Sequence, residues 1–153
     1  MKIIIDTREH KFELARIQRQ IEREGVQTEV HKLDVGDYMD AENPALSIDR
    51  KHDLMELCGN VTQQHERFRR ELLRAIKNET KLVILIEHGD GINSLEDVWF
   101  WENPRREYSK RATNGEQLYK SLITMQERYG VRFEFCDKRH TGHKIIEILR
   151  DGK

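Results

Sequence analysis

At 153 residues the chain suits one domain with a sizeable core, and a single unit is expected over residues 1–153. Its 27 Lys and Arg nearly cancel 28 Asp and Glu, so net charge gives no sign of nucleic acid and any basic surface must be local. Two cysteines, Cys58 and Cys136, exclude a disulfide framework and point to a reducing, cytoplasmic setting. A strand that opens at Lys2 leaves no room for a signal peptide, and no apolar run is long enough for a membrane.

Ile3-Ile4-Ile5 predicts a buried strand ending at Asp6. A helix follows from about Lys11 to Glu24, with Leu14, Ile17 and Ile21 inward and Gly25 as its stop. Val26 to Leu33 alternates loosely and suits a second strand; Ala45 to Lys51 suits a third, with a turn region from Asp34 to Pro44 between them. A longer helix from about Val61 to Lys77 should bury Val61, Phe68, Leu72 and Ile76. Lys81 to Glu87 is the most apolar strand, as expected for a sheet covered on both faces. His88 to Asn114 resists assignment, apart from a short helix at Leu95–Trp101 suggested by Ser94 and Asp97. A helix near Glu116–Tyr129, a strand at Val131–Cys136 and a helix at His143–Arg150 complete the chain. Strands alternating with helices predict a three-layer α/β domain.

The chemistry concentrates between Gly36 and Lys51, where Gly36-Asp37 is followed by eleven residues and then Asp49-Arg50-Lys51. On a strand, Asp49 and Lys51 share one face while Arg50 points to the other. Asp37 and Asp49 can hold a hard divalent cation, and Lys51 can orient or activate water for attack on a phosphodiester. Asp6-Thr7-Arg8-Glu9 follows directly on the first strand, where α/β folds often build sites; capping by Asp6 is the simpler reading.

In order, Ile3–Glu9, Gly36-Asp37-Tyr38, Ile48–Lys51 and Leu82–Glu87 resemble the nuclease domain of the XPF family, whose signature is Gly-Asp, a variable gap, Glu-Arg-Lys, three residues and Asp. The resemblance implies a restriction-endonuclease-like fold, with a central mixed sheet flanked by helices. It also implies cleavage of branched or flapped DNA with Mg²⁺ or Mn²⁺, in repair or recombination. Carried over, Asp37, Asp49 and the Arg50 carbonyl would bind metal, Lys51 would assist the water, and Asp6, Arg8 and Glu9 would complete the charged cluster. Two departures stand out: Asp49 replaces the usual Glu, and Met55 stands at the family's last acid, with Asp53 and Glu56 near but off register.

Arg67, Arg70 and Arg74 recur at helical spacing and form a candidate phosphate-binding stripe, which could equally be a solvated face balanced by Glu66 and Glu71. Arg67 also resembles an Arg on the family's nuclease face. Trp99-Phe100-Trp101 with Arg105-Arg106 could stack bases, although such aromatics more often anchor their own loop. Cys136, His140 and His143 lack a fourth zinc ligand. The expected partner is DNA, with a homodimer left open. The alternative function is an inactive DNA-binding or dimerisation module of the same fold.

Overall fold

Residues Lys81–Ile86 form β5, whose side chains divide between two cores. Leu82, Ile84 and Ile86 enter one apolar cluster, and Val83 and Leu85 enter the other. This is what a continuous apolar run does when helices cover both faces of a sheet. In the computed structural model, which describes residues 1–152, the remaining strands are β1 (Lys2–Ile5), β2 (Gln27–Val30), β3 (Tyr38–Asp40), β4 (Asn43–Lys51) and β6 (Arg132–Phe135). The helices are α1 (Lys11–Arg23), α2 (Leu54–Val61), α3 (His65–Lys77), α4 (Gly115–Tyr129) and α5 (Thr141–Asp151), with 3₁₀ turns at Glu96–Phe100 and Pro104–Glu107.

The strands lie in the order β2-β1-β3-β4-β5-β6. β3 runs antiparallel to both its neighbours, and the other pairs are parallel, so the sheet is mixed. Helices α1 and α5 supply Ile17, Ile21, Ile145, Ile146, Ile148 and Leu149 to the core on one face. They pack closely, since a Cβ on Gly142 would lie 2.5 Å from that of Gln20. The opposite face is covered by α2, α3 and α4. The three-layer α/β architecture expected from the sequence is present.

Four local expectations differ from the structure. Tyr38–Asp40, expected as turn, is a strand that closes a tight hairpin with β4. The expected second strand is confined to Gln27–Val30, because the chain then bends to place the Leu33 N–H on Asp6 at 2.7 Å. The long helix starts only at His65, and Val61 instead ends a separate, unexpected helix, α2, across the break at Thr62–Gln64. α2 is capped by Asp53, whose carboxylate accepts from the Glu56 N–H at 2.8 Å. Ile76 is half exposed, and Ala75 is the residue that faces the core.

Candidate active site

Gly36 sets the geometry from which the site grows. Its φ is +72°, and a Cβ there would lie 2.3 Å from Ser47 Oγ and 2.9 Å from the Ile48 carbonyl oxygen. Only glycine allows this approach. The turn delivers Asp37 to the end of β4, where its N–H donates to the Ile48 carbonyl at 2.7 Å. The Arg50 N–H in turn donates to Asp37 Oδ2 at 2.8 Å. Since N–H and C=O of one strand residue point the same way, the Arg50 carbonyl also lies on the Asp37 side of β4.

Asp37 and Asp49 line the same cleft and act on each other electrostatically. Burial, and then the neighbouring Asp49 charge, pushes the Asp37 carboxyl well above the usual carboxylate range. Lys51 Nζ lies 3.1 Å from Asp49 Oδ2 and 5.4 Å from the centre of the Phe68 ring. Burial alone would lower the Lys51 ammonium, but Asp49, with Glu56 and Glu71, outweighs it and holds the pKa above the ordinary lysine value. Lys51 is thus held as an ammonium beside Asp49.

The alternation expected of β4 holds, and Arg50 points into the opposite layer. Its guanidinium makes two bonds to Glu9, from Nε at 2.9 Å and from Nη2 at 2.6 Å. Its Nη1 pairs with Glu87, which also accepts from Arg16 at 2.6 Å and from the Thr141 hydroxyl at 2.5 Å. Tyr38 donates its hydroxyl to Glu9 at 2.7 Å. Burial raises the Glu9 carboxyl, and Arg50 more than reverses this, so its pKa falls below the usual carboxylate range.

Asp6 behaves as a structural anchor. It is fully buried, takes the Leu33 N–H on one oxygen, and on the other takes the Arg8 N–H at 3.1 Å and Nε at 2.7 Å. Arg8 keeps most of its side chain exposed and lines the cleft that contains Asp37, Asp49 and Lys51. That cleft, of about 550 Å³, also has Glu9, Arg67, Glu71 and Arg74 in its walls. The stripe on α3 thus splits: Arg67 and Arg74 face the cleft, while Arg70 is exposed beside it.

Glu71 is the residue that sequence reasoning undervalued. Burial and then the Asp49 charge raise its pKa, and it approaches Arg67 at 3.8 Å. Its position four residues after Arg67 was the available signal, since that spacing puts both on one helix face. Asp53 is committed to capping α2, and Glu56 to the N–H and ring of His52.

The oxygens of Asp37, Asp49 and the Arg50 carbonyl are the donor type a hard cation takes, and a cation there would relieve the crowding of the two carboxyls as a proton does. No group of three or more His, Cys, Asp or Glu gathers around one point among the described residues, so such an ion would keep several waters. The zinc candidates are not brought together. His140 pairs with Asp137 at 2.8 Å, His143 with Glu24 at 2.9 Å, and Cys136 contacts Thr141. In the 88–114 segment Trp101 is buried, and Arg106 donates to the Lys110 and Ala112 carbonyls, so both brace their own loop. His88 accepts the Leu54 N–H at 3.0 Å and so helps to start α2.

The ERCC4 domain family model matches residues 5–148. The structure of XPF from Aeropyrum pernix aligns with a TM-score of 0.71 at 20% identity, over 99% of this chain and 65% of that one. XPF from Aeropyrum pernix in complex with DNA aligns with a TM-score of 0.71 at 22% identity, over 99% and 64%. This chain thus spans just under two thirds of the length of those structures. No curated protein matches its sequence.

Proposed function

The chain belongs to the ERCC4 domain family, and on that premise we propose that it is a divalent-metal-dependent DNA endonuclease acting on branched or flapped duplexes in repair or recombination. The observation that carries the reading is the Asp37–Asp49 pair with Lys51 Nζ 3.1 Å from Asp49, set in a cleft walled by Arg8, Arg67 and Arg74. A decayed site would have no reason to keep two crowded carboxyls and a buried lysine together.

Asp37, Asp49 and the Arg50 carbonyl would hold Mg²⁺ or Mn²⁺. When bound, such an ion lowers the pKa of a water ligand and offsets charge developing on the phosphate. Arg8, Arg67 and Arg74 hold the DNA backbone in the cleft through charge-assisted bonds to phosphate oxygens. Lys51, fixed as an ammonium by Asp49, orients the attacking water and adds positive charge beside the scissile phosphate. Arg50 contributes through its backbone, because Glu9 and Glu87 occupy its side chain.

The test is cleavage of a labelled flapped duplex with Mg²⁺, Mn²⁺ or a chelator, for the wild type, Asp49→Ala and Lys51→Ala. Cutting is expected only with metal, and each substitution should lower it by roughly 10²-fold or more. Isothermal titration with Mn²⁺ separates the two variants: Asp49→Ala should lose metal, while Lys51→Ala should keep it. Metal-independent cutting, or full activity in Asp49→Ala, ends this mechanism. Wild-type binding without any cleavage would favour the inactive DNA-binding module.

A further inference from the structure

α1 begins with an aromatic pair that neither core uses. Phe12 is 80% exposed and belongs to neither apolar cluster, whereas Ile17 and Ile21 of the same helix are fully buried. Its ring stacks on His10, with centroids 5.9 Å apart and planes 29° from parallel. A single exposed aromatic is ordinary, but two further observations set this pair apart. His10 lines the same cleft as Asp37 and Asp49, and Phe12 stacks on it from outside the lining. The backbone that carries the pair is also anchored: the His10 N–H donates to Glu9 Oε1 at 3.1 Å, and Glu9 is itself clamped by Arg50 and Tyr38. The His10 carbonyl then accepts from the Leu14 N–H at 2.7 Å, in the first turn of α1.

Charge around the pair suits a nucleic-acid strand. Lys11 is exposed beside it, Arg8 projects into the cleft, and Arg67 and Arg74 stand in the cleft wall. Cations for phosphates next to an open ring face are the ingredients of single-strand recognition. A base inside a duplex has both faces covered by its neighbours, so only an unpaired or terminal base can use such a platform. Every base has such a face, and the platform therefore discriminates DNA structure rather than sequence. We infer that His10 and Phe12 form a stacking platform for an unpaired nucleobase of the strand whose backbone enters the Asp37–Asp49 cleft. This rests on the proposed nuclease reading and names the feature by which the site selects flapped over fully paired DNA.

The experiment measures affinity, with chelator present, for a blunt duplex and for the same duplex carrying a short single-stranded flap, using wild type, Phe12→Ala and Phe12→Trp. A 2-aminopurine in the flap reports stacking directly. Phe12→Ala should weaken flap binding relative to blunt binding by roughly tenfold and abolish the quenching of 2-aminopurine, while Phe12→Trp retains both. Phe12 is exposed, so an unchanged melting temperature is expected for both variants. If the wild type binds DNA and Phe12→Ala leaves the flap-to-blunt ratio and the quenching unchanged, the platform fails and the nuclease reading stands. If the wild type binds neither DNA, both fail together.

Discussion

At the scale of single residues, Asp37 shows a site working against the stability of its own fold. A buried carboxyl facing Asp49 prefers to stay protonated, and its pKa is raised accordingly. A carboxyl raised in the folded state contributes stability below its unfolded pKa, and loses it as pH rises through the folded value. The metal-free protein should therefore lose stability as pH climbs from about 4, the unfolded value for Asp, toward neutrality. Asp37→Asn keeps an acceptor for the Arg50 N–H and removes the charge. It is expected to melt higher than wild type at neutral pH without metal, by roughly 2–4 °C for each kcal/mol recovered, and to cut no DNA. Calorimetry across the pH range checks this, and a variant that melts below wild type throughout would refute the crowding. Sequence alone exposed the carboxylate pair, because Gly36-Asp37 and the Asp-x-Lys triplet are local patterns. It did not show the part played by Glu71, whose charge matters only once α3 lies against the sheet and brings it near Asp49.

Among the elements, α3 is the one proposed to carry the electrostatic contact with DNA, and the structure makes its arginines unequal. Arg67 and Arg74 flank the cleft together with Glu71, while Arg70 lies outside it. Replacing Arg67 and Arg74 by Ala should lower the slope of log affinity against log salt by about one unit each. Arg70→Ala should change it less. Fluorescence anisotropy titrations over a range of salt measure the three slopes, and equal slopes would show that the cleft does not orient the DNA. Long elements such as α1, α4 and β5 could be read from period and punctuation. The ones that escaped are short or fixed by tertiary contacts. β3 has three residues, too few to show alternation, and exists because it pairs on both sides. The start of α2 did carry a signal: Asp53 and Glu56 have capping spacing, and Asp53 does cap the helix. Both residues drew attention instead as candidate acids for the site.

Over the whole molecule, the strand ends on one side of the sheet are joined by a chain of charges running Glu9, Arg50, Glu87, Arg16, Glu13, buried as far as Glu87 and partly exposed beyond it. It links α1, β4 and the end of β5, with Thr141 of α5 attached. Single residues gave no hint of it, since it joins three separate stretches of the sequence, at Glu9–Arg16, Arg50 and Glu87. Glu87 is fully buried and Arg50 almost so, which means that removing one partner strands the others. Glu87→Ala should destabilise the protein by about 3–5 kcal/mol, measured by urea unfolding. A loss below about 1 kcal/mol would mean that the chain of charges is not a structural tie. Mobile ions reach the exposed arginines of α3, where screening acts over about 10 Å at 0.1 M salt, but they do not reach Glu87. Ionic strength therefore acts on the surface and leaves the interior alone. On the proposed reading, a brine that strips the protein from DNA should leave it folded, and dilution should restore binding without a refolding step.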